Sequence, residues 1–315
     1  GLRPDVSIST TFSAIDSESD IADPAGSSDQ FRQLTYGVEL TQPLYRYARA
    51  RGVDRASALV EQARADFAAA EQALILRAAE RYFAVLDARE AVDAARANLE
   101  AIQRQLEQAE QRFEVGVVAR TDVEEARARA DLARAELLQA EDDLATERER
   151  LRELTDRAPA ELQTVREGVD LTPPSPRDPA AWRERAEADN WQLMAARFAA
   201  EAAMEGIEVE RGGRFPQLDL VAAYDGLNRY GAGGRDPSSD ELSAGVRLSL
   251  PLYQGGGIDA NIREAQFRYT EAREVLEEAR RTVTRDAADA YRGVLTALER
   301  VRALQQARIS TRAAL

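Results

Sequence analysis

The chain has 315 residues, 44% of them hydrophobic and 31% charged, and carries a formal net charge of −14. A surface so acidic repels phosphate backbones, which excludes nucleic acid as a partner. Cys, His and Lys are all absent, which excludes disulfide scaffolds, imidazole bases, Schiff-base lysines and lysine-dependent phosphate loops, so that no catalytic site, metal or cofactor is expected.

Residues 5–12 alternate Val6, Ile8, Thr10 and Phe12 against Asp5, Ser7, Ser9 and Thr11, which predicts a strand. Residues 16–30 are rich in Ser, Asp, Gly and Pro and predict an exposed loop. Alternation resumes at Leu34, Tyr36, Val38 and Leu40, and Pro43 is expected to end the second strand.

From about Ala48 to Glu114 there is no Pro, and after Gly52 no Gly. Val85, Val92, Leu99, Leu106 and Phe113 recur by sevens, with Ala88, Ala95, Ile102 and Ala109 three places on. This is an a/d seam, and small Ala at d lets a partner helix approach closely. At about 1.5 Å per residue such a helix spans roughly 100 Å, far beyond an ordinary globular helix.

A short break at 114–120 follows, in which Gly116 is expected at a helix C′ position with positive φ. Thr121 or Asp122 is placed to cap the next helix. Its seam is Val123, Ala130, Leu137, Leu144 and Leu151, with Ala126, Ala133, Ala140 and Leu154 at d, broken once by Glu147. Two heptad helices joined by a tight turn predict an antiparallel coiled-coil hairpin.

Residues 155–180, with five prolines, predict an irregular connector, and a helix of roughly 30 residues is expected from about Pro179 to Glu210. Gly212-Gly213 should stop it. The opening pattern then returns: Leu218, Leu220, Ala222 and Tyr224 alternate, 225–240 read as a loop, and Leu242, Ala244, Val246, Leu248 and Leu250 alternate up to Pro251. A last helix carries Ile262, Tyr269, Leu276, Val283, Ala290, Ala297 and Leu304 by sevens.

The chain is internally duplicated. Gly37-Val38-Glu39-Leu40-Thr41-Gln42-Pro43-Leu44-Tyr45 matches Gly245-Val246-Arg247-Leu248-Ser249-Leu250-Pro251-Leu252-Tyr253, and Tyr82, Val85 and Leu86 match Tyr291, Val294 and Leu295. Each unit supplies strand, loop, strand and long helix. The strands, about ten residues each, suit a tilted crossing of an outer membrane. Four strands cannot close a barrel and open edges are not tolerated in lipid, so three copies with about twelve strands are the natural closure. No run of about 18 apolar residues exists, so no transmembrane helix is expected.

These segments resemble the TolC family of outer-membrane efflux and type I secretion proteins. The resemblance rests on Leu40-Thr41-Gln42-Pro43-Leu44-Tyr45, on Leu74-Ile75-Leu76 through Tyr82-Phe83-Ala84-Val85-Leu86, on Gln111 through Val123, and on Leu248-Ser249-Leu250-Pro251-Leu252-Tyr253-Gln254-Gly255-Gly256. It implies an α+β membrane protein: a trimeric twelve-strand β-barrel, four strands per protomer, continuous with a long α-helical coiled-coil barrel. The expected segments are a first barrel hairpin at 1–45, long helix and coiled-coil hairpin at 46–154, an equatorial connector at 155–180, a returning helix at 181–213, a second barrel hairpin at 214–253 and a long helix at 254–315.

The same resemblance implies an outer-membrane exit duct without enzymatic activity, extending into the periplasm. Its partners would be two further copies, a periplasmic adaptor, an inner-membrane pump of RND or ABC type, and outer-membrane lipid. It places Arg112, Phe113, Val115, Gly116, Val117 and Thr121 at the adaptor-docking tip, and Asp122 and Gln105 among residues holding the entrance shut, with the matching inner hairpin expected beyond Leu315. Asp122 also reads simply as a cap beside Thr121, and Gly116 as a helix terminator.

Gly255-Gly256-Gly257 without any Lys is a strand-to-helix joint rather than a phosphate loop. Adjacent carboxylates such as Asp142-Asp143 and Glu124-Glu125 point apart on a helix and form no acid/base dyad. The acidic balance suggests a cation-preferring lumen. A periplasmic adaptor and a soluble coiled-coil scaffold are the rival readings; neither accounts for a duplicated strand-helix unit with four amphipathic strands.

Overall fold

The computed structural model describes residues 3–19, 27–157, 162–166, 169, 171–230 and 238–314. In chain order the elements are β1 (Asp5–Ser19), β2 (Ser27–Arg46), α1 (Tyr47–Glu114), α2 (Arg120–Thr155), α3 (Pro179–Asp189), α4 (Trp191–Arg211), a single 3-10 turn (Gly212–Arg214), β3 (Gln217–Tyr230), β4 (Ser238–Ser249) and α5 (Gly257–Ala314). They fall into two units: Gly1–Asp66 with Ser175–Thr296, and Phe67–Pro174 with Ala297–Leu315.

The first unit holds one antiparallel sheet in the order β1-β2-β3-β4. Its strands of 15, 20, 14 and 12 residues are longer than the ten or so expected. Segments read as loop at 16–19, 27–30, 225–230 and 238–240 are paired strand; the tips between them lie outside the described residues. Ladder pairing is made by the backbone, so Ser13 opposite Gln33 continues it although neither side chain signals a strand. Nor does Pro43 end β2. The strand continues to Arg46 with a register shift between Pro43 and Tyr45, where the proline has no N–H for the ladder.

The helix expected from Pro179 to Glu210 is two helices. Asn190, at φ −75° and ψ 122°, leaves the helical region, donates its N–H to the Ala186 carbonyl and accepts the Leu193 N–H with its side chain at 3.0 Å. One residue thus closes α3 and caps α4. Asp178 caps α3 at Ala180 N (2.9 Å), with Pro179 at the first helical position, where its missing N–H costs nothing. Leu193, Ala195, Ala200 and Ala202 of α4 are buried, as are Ala58 and Ala65 of α1 and Ile262, Ala265 and Val283 of α5. Small residues dominate this core because helices meeting on Ala can approach closely. The heptad of α5 is covered through Val283; Ala290, Ala297 and Leu304 are exposed.

The second unit contains the α1–α2 hairpin. Val85, Val92, Val123, Ala130, Ala133 and Leu151 are buried, and the other seam positions from Ala88 to Ala109 and from Ala126 to Leu154 are half-buried. The two halves are tied by Arg96–Glu141 at 3.5 Å and Arg127–Glu110 at 3.1 Å. Glu147, the one charge in the seam, meets Arg81 of α1 at 3.6 Å and Arg150 of its own helix. That pairing lets a carboxylate occupy a core-facing position without a stranded charge. Tyr82 donates its hydroxyl to the Gln163 carbonyl at 2.6 Å, fastening the connector to α1.

Candidate functional site

The hairpin turn is built by a Schellman closure. Gly116 donates its N–H to the Phe113 carbonyl and Val117 to the Arg112 carbonyl, both at 2.9 Å, with Gly116 at φ +75°. The expected C′ glycine is therefore in place. Its surroundings are open, with nothing within 4 Å of a would-be Cβ. Backbone conformation, not space, selects glycine here.

The N-cap of α2 is Ala119, not Thr121 or Asp122. Asp122 is the third helical residue; its carboxylate accepts the Ala119 N–H at 3.1 Å, and its own N–H donates to the Ala119 carbonyl at 3.1 Å. This is the acidic half of a capping box, built without a capping side chain. Thr121 is exposed beside it. The Thr-Asp signal was real but displaced, because a cap search favours the first polar residue and overlooks an Ala whose N–H is met from three residues on.

Closing the chain this way leaves apolar side chains in water. Val115 is 73% and Val117 70% exposed, and Phe113 is 43% exposed although it continues the buried seam. Arg112, Gln105 and Asp122 are also exposed. Six of the eight residues named from sequence thus form one continuous surface at the turn and its flanks, with Asp122 in the cap itself; Gln105 lies two turns back on α1. No hydrogen bond joins Gln105 to Asp122 among the described residues. The ion pair Arg127–Glu110 lies just behind the turn, and Glu110, aided by Glu124, raises the pKa of Arg127 above its usual value.

The sheet offers a second surface with two chemically distinct faces. In register across the strands, Ile8, Val38, Tyr224 and Leu242 lie on one face, next to Val6, Leu40, Ala222 and Ala244. On the other lie Ser7, Glu39, Ala223 and Ser243, next to Ser9, Gly37, Asp225 and Glu241. The apolar face is uncovered: Ile8 and Leu242 are each 80% exposed. A contiguous apolar sheet face of this kind needs lipid or another protein against it. Near its loop end the Tyr36 and Tyr224 hydroxyls both donate to Asp240, at 2.9 and 3.1 Å. The Tyr36 ring lies over Gly226, where a Cβ would come within 2.1 Å of it.

Where β2 passes into α1, side chains not foreseen from the sequence converge. Arg46 forms a two-pronged pair with Asp219, the only buried charged residue among those described. Tyr47 stacks at 4.6 Å on Phe215 and donates to Glu208 at 3.0 Å. Gly212 packs so tightly on Ala48 that a Cβ would meet its backbone at 2.7 Å. Among the described residues no group of acidic side chains could hold a metal, and no helix is long and apolar enough to cross a membrane.

The sequence profile of the outer membrane efflux protein family matches residues 1–157 and 182–315. The chain is 34% identical to the outer membrane protein TolC of Vibrio cholerae over 285 residues, 90% of this chain and 65% of that protein. It is 30% identical to the alkaline protease secretion protein AprF of Pseudomonas aeruginosa, over 85% of this chain and 56% of that protein. It thus spans somewhat over half the length of these relatives. A crystal structure of a membrane protein from Pseudomonas aeruginosa matches 97% of the chain and 70% of its own length at a TM-score of 0.73 and 20% identity, a likeness of fold.

Proposed function

The chain belongs to the outer membrane efflux protein family and is an outer-membrane protein, and from that premise we propose that three copies close their sheets into one barrel to make a passive exit duct. The observation that carries this reading is the sheet itself. It is amphipathic, uncovered on its apolar face, and ends on both sides in open edges, β1 and β4. Neither edge is tolerable in lipid, and four strands cannot close alone. Three sheets give about twelve strands, within the range of such barrels.

The polar face then lines the lumen. Glu39, Asp225 and Glu241 cluster in two adjacent rows of it, which supports a preference for cations. The α1–α2 hairpin presents Arg112, Phe113, Val115, Gly116, Val117 and Thr121 to a periplasmic adaptor, which couples the duct to an inner-membrane transporter. Asp122 and Gln105 help hold the entrance closed until the adaptor engages. Small molecules, a secreted protein, or both are the cargo; the likeness to a protease secretion protein favours including the second.

The test is direct. Detergent extracts of outer membrane should yield trimers that dissociate only on heating, and these should conduct in planar bilayers with a reversal potential of cation sign. A monomer that is soluble without detergent would overturn the duct, and anion preference would overturn the lumen assignment.

A further inference from the structure

The two hairpins of the sheet repeat in register. β1 and β2 pair Asp5 with Thr41, while β3 and β4 pair Gln217 with Ser249. Thr41 and Ser249 hold the same place in the duplicated Gly-Val-x-Leu-x-x-Pro-Leu-Tyr stretch. It follows that Asp5 and Gln217 are also counterparts. Extending that correspondence sets Val6 on Leu218, Ile8 on Leu220 and Phe12 on Tyr224, like on like.

Between the hairpins, β2 pairs with β3: Thr41 faces Val221, Leu40 faces Ala222 and Val38 faces Tyr224. Carried forward by one repeat, the same pairing lays β4 against a β1 strand. The chain's own β1 is at the opposite edge, already beside β2. We infer that β4 of one protomer pairs antiparallel with β1 of the next in the register of the internal β2–β3 seam, with Ser249 facing Ser9, Leu248 facing Thr10 and Val246 facing Phe12. This rests on the barrel reading above and adds the register.

The side chains fit this register pair by pair. Val38 with Tyr224 becomes Val246 with Phe12, again a β-branched residue against an aromatic ring. Tyr36 lying over Gly226 becomes Ala244 against Ala14, which divides the space evenly instead of giving all of it to one partner. Arg46 and Asp219, the buried ion pair of the internal seam, become Gln254 and Ser7. Both members lose their charge together, so neither copy leaves an unpaired ion at the joint. The Leu-Tyr exits agree as well. Leu44 and Tyr45 are 52% and 46% exposed beside β3, whereas Leu252 and Tyr253 are 89% and 88% exposed in the lone chain, which lacks the strand that would cover them.

Because the chain has no cysteine, the register can be read by cross-linking the full-length protein in its membrane. The doubly substituted S9C/S249C lies on the polar face and changes each side chain by one atom. It should give at least about tenfold more covalently linked protomers than S7C/S249C or T11C/S249C, since a slip of two residues moves the Cα atoms to about 7 Å or beyond, at the limit for a disulfide. Trimers that cross-link best in a slipped register would overturn the inference and leave the duct intact. Failure of all three pairs in a protein that is monomeric would overturn the duct itself. Independently, S7D should lower the temperature at which trimers dissociate, and S7D/Q254R should restore it; no rescue by the second change would also overturn the register.

Discussion

Arg46 Nε lies 2.7 Å from Asp219 Oδ1 and Arg46 Nη2 lies 2.5 Å from Oδ2, a parallel two-bond fork joining residues 173 positions apart. The carboxylate is nearly closed off from solvent, 8% exposed, while the guanidinium keeps 23%. The fork fixes the last residue of β2 just before α1 begins, and therefore fixes the direction in which α1 leaves the sheet. Removing one member of a mostly buried pair strands the other, so D219A should destabilise the protein by about 2 kcal/mol, reduced from the fully buried case because Arg46 is part-exposed. R46M/D219L, which removes both charges, should cost less than D219A alone. Urea titration of the purified protein decides this; equal losses would show that the pair does not act as a unit.

Gly116 stands at φ +75° in open space. G116A should therefore cost about 1 kcal/mol from backbone conformation alone. G116N should cost less, because Asn tolerates the left-handed region. Thermal unfolding followed by circular dichroism reads both; a loss as large for Asn as for Ala would mean that the side chain, not the backbone, is at fault.

Val115 and Val117 contribute nothing visible to packing. V115S/V117S should leave trimer yield and heat resistance unchanged while reducing adaptor co-purification and substrate export at least about tenfold, the loss expected when central apolar contacts of an interface are truncated. Unchanged export would remove the docking role from the tip.

Glu277 on α5 is held by Arg280 at 3.1 Å and Arg281 at 3.2 Å, and Arg280 also reaches Glu187 of α3 at 3.2 Å. Hydrogen bonds from Arg280 first, then Arg281, lower the Glu277 pKa below its ordinary 4.5. A carboxylate with a lowered folded-state pKa stabilises the fold fully above the ordinary value and loses that contribution as pH falls through the lowered one. The melting-temperature gap between the parent and E277Q should thus be small but present at neutral pH and vanish by about pH 3. A gap that widens on acidification would reverse the assignment.

The long-period features of this protein were legible in its sequence. The seams of α1 and α2 appear because heptad spacing survives any local noise, and even the Glu147 interruption is visible, though its partner Arg81 is not. The duplicated Pro-Leu-Tyr exits mark where strands give way to helices. What escaped depends on pairing across the chain or on a single residue. Asn190 splits a helix that composition alone would continue. The ends of the strands run through Ser- and Asp-rich stretches whose only strand signal is the opposite strand. The Arg46–Asp219 fork has no periodicity that could announce it. At the tip, the glycine was recognised because its role is local, whereas the cap was placed two residues late because Ala119 has no side chain that declares it.

The order β1-β2-β3-β4 follows the chain, yet its three joints differ in how far apart their strands lie in sequence. Two are hairpins, closed across short spans at 19–27 and 230–238; the middle one must bring Arg46 back to Gln217 past four helices. Closing a long span costs more entropy than closing a short one, and pairings distant in sequence form slowly. The hairpins should therefore form first and independently, and the β2–β3 joint should await the helices that carry its second strand home. Until then each newly made chain exposes four unsatisfied strand edges instead of two, the interval in which aggregation competes with assembly and a chaperone would be of most use.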